Sequence, residues 1–266
     1  MHSTRFGSCV VGYLAAVLAC VLFLAFLGVG CDDSDSYEAR LEEARIAADG
    51  GDYDTAIAIL SGLEQTGEVL ENLSTAYAGK AGVDSLAIYS GAADGGGGTI
   101  DQFGRMLGQG DEGLLACSEI GATLSTMDQA ITALIGSAGG TSGLSDYGKA
   151  KLGIYGLTDA VLILGQIFCR NFGDRFTPPD FVGLTEAWIK EARGLVAGDF
   201  VTLRITPEEL AQINRDVGFV SLAAAALGPG NVLGREFEAF LGEIDTGGDG
   251  AVSFIELIDY VNTLGE

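Results

Sequence analysis

The chain holds one histidine in 266 residues, His2. Imidazole is the side chain whose ordinary pKa lies closest to neutrality. Beyond residue 2 there is therefore no histidine general base, no Ser-His-Asp triad and no histidine-ligated zinc. Proline is nearly as scarce: Pro178, Pro179, Pro207 and Pro229 are the whole set, so Cys31 to Thr177 runs without the strongest helix breaker. Positive charge is also short, with 14 Lys and Arg against 37 Asp and Glu and a formal net charge of −23. Such a surface repels nucleic acid and anionic lipid headgroups and suits divalent cations. The acids at Glu42-Glu43, Asp52, Asp54, Asp101 and Asp111-Glu112 read as solvated faces or loop residues, and no carboxylate pair is singled out. Enzymatic activity is the least supported reading, and a non-enzymatic role is expected.

What is present begins at the N-terminus. Arg5 leads into an apolar run from Val10 to Val29, closed by Gly30-Cys31 and followed by the acidic Asp32-Asp33-Ser34-Asp35. A basic head, an apolar middle and small residues before a cleavage point form an export signal. With the cysteine after the small residue, the segment resembles the signal of a bacterial lipoprotein. The resemblance implies cleavage after residue 30, lipidation at Cys31 and a periplasm-facing protein of the bacterial cell envelope. Gly28 departs from it, standing where that family usually has leucine. The run is also long enough to cross a bilayer, so an uncleaved anchor and a plainly secreted protein remain alternatives. All three export the rest of the chain, and Asp32 leaves inner or outer membrane undecided.

Of the other cysteines, Cys9 and Cys20 lie in or beside the apolar run, leaving Cys117 and Cys169. In an oxidising compartment these two either pair or stay as buried free thiols. Glycine clusters punctuate the chain, and the segments between them carry apolar residues at three- and four-residue spacing. Helices are expected over 36–48, 53–63, 69–79, 82–90, 113–137, 145–171, 183–196, 206–227, 233–244 and 254–264. The first two hold Ala44, Ala47 and the phrase Gly51-Asp52-Tyr53-Asp54-Thr55-Ala56. This pattern resembles a tetratricopeptide (TPR) repeat, in which small residues let a helix pair approach closely. A second, weaker unit over 69–90 follows at an offset shorter than the family's roughly 34 residues. The two long segments at 113–137 and 145–171 are apolar on more than one face and read as core helices. A membrane-spanning reading of 145–171 is set aside because Lys149, Lys151, Asp159 and Gln166 interrupt it, with no run of membrane length expected. Phe181, Trp188 and Ile189 read as core, and residues 91–98 as a flexible connection.

Near the C-terminus, Asp245-Thr246-Gly247-Gly248-Asp249-Gly250-Ala251-Val252-Ser253-Phe254-Ile255-Glu256 closely resembles an EF-hand calcium loop. Calcium takes six to eight oxygen ligands, so carboxylates recur at alternate loop positions. The resemblance assigns Asp245, Asp249, the Ala251 carbonyl, Ser253 through a water, and Glu256 as ligands. Gly250 supplies the sharp turn, and Val252 is the apolar residue that normally meets a partner loop. Gly247 departs from the pattern, having no side-chain oxygen at position 3. The loss shifts the expected affinity toward ~10⁻⁴ to 10⁻³ M. Residues 199–214 are a degenerate partner at best, because they lack the ligand pattern.

The expected fold is all-α: a TPR-like antiparallel helical array with a C-terminal EF-hand-like helix–loop–helix. The expected organisation is a signal peptide (1–30), a TPR-like helical domain (31–177) and a C-terminal helical segment with the loop (178–266). The resemblances imply a membrane-tethered scaffold or adaptor that binds a protein or peptide of the cell envelope, with structural calcium and no nucleic acid. A ligand-binding accessory of a transport system and a calcium-responsive regulator are the alternatives.

Overall fold

The structure, a computed structural model, describes residues 36–83, 117–172 and 204–263. Among them are eight α-helices, one 3₁₀ turn and no strand. The helices are α1 (Tyr37–Asp49), α2 (Tyr53–Ser61), α3 (Gly67–Lys80), α4 (Cys117–Ser137), α5 (Asp146–Phe172), α6 (Pro207–Leu227), α7 (Val232–Ile244) and α8 (Phe254–Thr263). The chain divides into two compact units between Glu42 and Glu43. Of the first unit, the described part opens α1, where Ser36 Oγ accepts the Ala39 N–H at 3.1 Å. The rest concerns the second unit. The expected signal, Cys31, the expected 82–90 helix beyond Val83, the 183–196 helix, the connection at 91–98, the acids at 101, 111 and 112, the Phe181-Trp188-Ile189 group and the 177/178 boundary lie outside the described residues.

Local chemistry sets the helix starts. Asp52 Oδ1 accepts the Thr55 N–H at 3.2 Å and opens α2. Thr66 Oγ1 accepts the Val69 N–H at 3.3 Å, so α3 begins at Gly67, two residues before the start expected from its apolar spacing. At α6 the capping box is complete: Thr206 Oγ1 takes the Glu209 N–H at 3.2 Å, and Glu209 Oε2 takes the Thr206 N–H at 2.8 Å. Pro207 stands in the first turn, where its missing N–H costs nothing. Asn231 Oδ1 caps α7 by accepting from Leu233 and Gly234.

The principal packing partners are successive described helices: α2 on α3, α3 on α4, α4 on α5, α5 on α6, α6 on α7 and α7 on α8. Paired residues show three of these pairs, α2/α3, α4/α5 and α5/α6, to be antiparallel. Lys80 Nζ meets Asp54 Oδ1 at 2.6 Å between α3 and α2. Arg170 meets Glu209 at 2.6 Å between the end of α5 and the start of α6. Cys117 and Cys169 are joined by a disulfide with their Cα atoms 5.6 Å apart, tying the start of α4 to the end of α5.

The core is centred on α5, where every residue from Ala150 to Gly165 is buried. A helix wrapped by neighbours on all sides needs apolar residues all round, which is why its sequence shows no polar stripe. By length and composition α5 is apolar enough to cross a membrane, which corrects the expectation that no run reaches that length, but 88% of its most apolar window is buried inside the protein. Close packing continues into α6 and α7. A Cβ at Gly153 would collide with Ala223 and approach Phe237 to 3.0 Å. At the far end, Phe240 and Tyr260 stack edge to face with ring centres 6.0 Å apart and join α7 to α8.

Candidate metal centre

The loop between α7 and α8 is built by its own carboxylates gathering backbone N–H groups. Asp245, at the C-terminal end of α7, accepts from Gly248 N through Oδ1 and from Gly250 N through Oδ2, both at 2.8 Å. Asp249 Oδ1 accepts from Ala251 N at 3.0 Å. Glu256, in the first turn of α8, reaches back to take Gly247 N at 2.6 Å, Thr246 Oγ1 at 3.3 Å and Ser253 N at 2.8 Å. Ser253 Oγ returns the contact by accepting the Glu256 N–H at 3.2 Å. Gly250 has φ +83°, which an L side chain adopts only at a cost, so the turn requires glycine.

These contacts fix the charge state. Backbone N–H groups of Ser253 and Gly247, with the Ser253 and Thr246 hydroxyls, hold the Glu256 carboxyl down to about 2. Asp245 and Glu256 converge on Gly247. A Cβ built there would lie 3.0 Å from Glu256 Oε1 and 3.8 Å from Asp245 Oδ1. A side chain at this position would need the Glu256 carboxylate to give by a few tenths of an ångström.

The donor set consists of oxygen from carboxylate, hydroxyl and backbone carbonyl, the chemistry that a hard divalent cation takes. Asp245 and Glu256 are drawn to one side of the loop, whereas Asp249 is turned to its own Asx contact with Ala251. Among the described residues, no three Asp, Glu, Cys or His side chains are gathered at metal-holding distance.

The loop is fastened to α6 by one side chain. Val252 is 2% exposed, and its backbone groups need partners once removed from water. Asn214 supplies both: its Oδ1 accepts the Val252 N–H at 2.6 Å, and its Nδ2 donates to the Val252 carbonyl at 2.9 Å. Nδ2 also donates to the Leu210 carbonyl within α6, which fixes the amide's orientation. The carboxamide thus serves Val252 as a neighbouring strand would. Sequence spacing placed Asn214 only at the end of a degenerate partner segment. The available signal was a buried backbone pair at Val252 without a second loop to satisfy it.

A second acidic group lies in the interior, and the sequence did not single it out. Asp159 of α5 and Asp216 of α6 are both 0% exposed. Between them stands Arg215, whose Nη2 is 2.7 Å from Asp159 Oδ2 and whose Nε is 3.0 Å from Asp216 Oδ1. Its Nη1 reaches outward to the half-exposed Asp128 of α4 at 2.9 Å. Gln212 Nε2 adds a bond to Asp159 Oδ2 at 3.0 Å. Burial, then the neighbouring Asp159 carboxylate, pushes Asp216 up to about 9 against the pull of Arg215.

Nearer the start of α5, Lys151 is buried and donates to Thr75 Oγ1 of α3 at 3.0 Å, with Glu71 Oε1 4.0 Å away. Burial lowers its pKa, and Glu71 partly offsets the shift.

The chain matches no protein-family model, no curated protein and no solved structure.

Proposed function

We propose that this chain is a lipid-anchored, periplasm-facing helical scaffold that binds a protein or peptide of the bacterial cell envelope, with calcium held at its C-terminal loop. The observation that carries the scaffold reading is the order of packing. Each described helix from α2 onward packs chiefly on its chain neighbours, as in helical repeat proteins whose units stack in sequence. Of the TPR-like small positions, Ala44 and Ala56 are fully buried and Ala47 is half-buried. Asp245, Asp249, the Ala251 carbonyl, Ser253 and Glu256 would hold the ion, which would neutralise their charge and fix α7 against α8. Cys31 would carry the lipid.

The alternative, a ligand-binding accessory of a transport system, needs a cavity among the long helices. The close approach of Gly153 to Ala223 and of Gly156 to Phe219 weighs against one between α5 and α6. A calcium-responsive regulator needs a shape change, and the loop's Asn214 fastening to α6 favours a structural ion instead.

Mass spectrometry of the mature N-terminus tests the anchor. A triacylated Cys31 is expected, and an intact Met1 would overturn it. Cross-linking in intact envelopes followed by pull-down tests the adaptor role. A specific protein partner is expected, and recovery of none would remove that role.

A further inference from the structure

We propose that Asp159 and Asp216 hold one proton between them, and that this shared proton fastens α5 to α6 as a pH-dependent clamp. The inference is independent of the calcium loop.

The charge balance requires it. Two fully buried carboxylates face a single guanidinium, and that guanidinium is itself shared with Asp128 at the surface. Each carboxyl has one oxygen engaged by Arg215, with Gln212 adding to Asp159. The other two, Asp159 Oδ1 and Asp216 Oδ2, are buried and receive no hydrogen bond from any donor. A buried carboxylate oxygen without a donor is costly, and two ionised carboxylates side by side in a low dielectric are more so. One proton removes both costs: Asp216 becomes an acid that donates to Asp159, and the pair carries a single negative charge opposite Arg215. The helices meet closely here, since a Cβ at Gly156 would lie 3.0 Å from the Asp216 carbonyl oxygen. Among the described residues, the charged groups acting on the pair are Asp128 from α4 and Arg215 from α6; α5 contributes Asp159 itself. Burial drives both carboxyls upward, Asp216 to about 9. Because neither carboxyl reaches solvent, the arrangement suits a structural clamp and not a catalytic pair.

The direction of the pH effect follows. The folded pair keeps a proton that the unfolded chain releases near the ordinary aspartate value, so the folded state binds more protons across the interval between. The clamp's contribution is full below about pH 4, declines as pH rises and is gone above the folded value near 9. The chain's only histidine is His2, so no imidazole beyond it titrates in this window. The lowered Lys151 acts in the opposite sense and is common to wild type and both variants, so the comparison between them isolates the pair.

The test is urea unfolding of the full-length chain in detergent across about pH 6–9, comparing wild type with Asp216→Asn and Asp159→Asn. The wild-type midpoint should fall steadily with rising pH. Either neutral amide should abolish most of that slope, since it leaves one carboxylate for one guanidinium. A merely structural loss would lower the midpoint and leave the slope. Carboxyl ¹³C titration of the folded wild-type protein supplies the second readout, whether or not the variants fold. One aspartate should titrate several units above the ordinary range. Equal slopes in wild type and variants, or all aspartates titrating in the ordinary range, would overturn the clamp.

Discussion

The loop at 245–256 and the seam between α5 and α6 use the same side chain in opposite ways. In the loop, carboxylates sit in or near water and collect backbone N–H groups, and Glu256 is held down to about 2. In the seam, the same chemistry is stripped of water, given a shared guanidinium and pushed upward, Asp216 to about 9. Solvent and donor count decide the sign: a carboxylate with several N–H donors stays charged, and one without them takes a proton. The lesson concerns availability. The Glu256 carboxylate is charged and half-exposed, whereas the seam's carboxyls are buried and balanced by Arg215 and the proposed proton. α6 joins the two regions through consecutive residues: Asn214 grips Val252 of the loop, while Arg215 and Asp216 build the seam.

The largest expected effect comes from opening the frame around the seam. Reducing the Cys117–Cys169 disulfide frees a segment with a sequence separation of 52. On the chain-entropy account that costs about 4 kcal/mol, read as a lower urea midpoint in reductant. Next is Arg215→Ala, which leaves two buried carboxyls without their cation. Removing one member of a buried pair costs about 3 kcal/mol, at the low end because the guanidinium is 38% exposed. If Arg215→Ala unfolds like wild type, the seam is not held by charge.

The fastening between the regions comes third. Asn214→Leu deprives the Val252 N–H and carbonyl of partners, at about 2 kcal/mol for the orphaned groups. Hydrogen exchange at Val252 should quicken while Val220 in the α6 interior keeps its protection. Unchanged exchange at Val252 would separate the loop from α6. Smallest is Thr206→Ala, which removes the cap of α6 for about 1 kcal/mol and leaves the Arg170–Glu209 pair in place. Glu209 carries a pH signature of its own. Burial opposes its charge, but Arg170 and Thr206 outweigh burial and lower its pKa. Its contribution is therefore present above the ordinary glutamate value and lost as pH falls through the lowered one, a slope opposite in sign to that of the seam.

How much was legible in the sequence follows the same division. The sharp turn at Gly250 and the Thr206-Pro207-Glu209 start signal are local, encoded within a few residues, and both appear in the structure. The all-helical class followed from apolar spacing and the near absence of proline. The seam is different. Asp159 and Asp216 lie on separate helices, and only the rotation of α5 against α6 brings them together. Asp159 read as an interruption in an apolar segment, yet a lone aspartate beside Ala160-Val161-Leu162-Ile163 was itself a sign that a buried charge needed a partner. Gly247 read as a missing ligand; the structure adds that a side chain there would meet Glu256.

The most direct measurement is calorimetric titration of the full-length protein with calcium, run on wild type, Glu256→Gln and Asp216→Asn. Wild type should bind one ion weakly, with a dissociation constant of about 10⁻⁴ to 10⁻³ M. Glu256→Gln should abolish the heat, and Asp216→Asn should leave it unchanged. Heat that survives Glu256→Gln but disappears with Asp216→Asn would place the ion in the seam and contradict the division between the two regions.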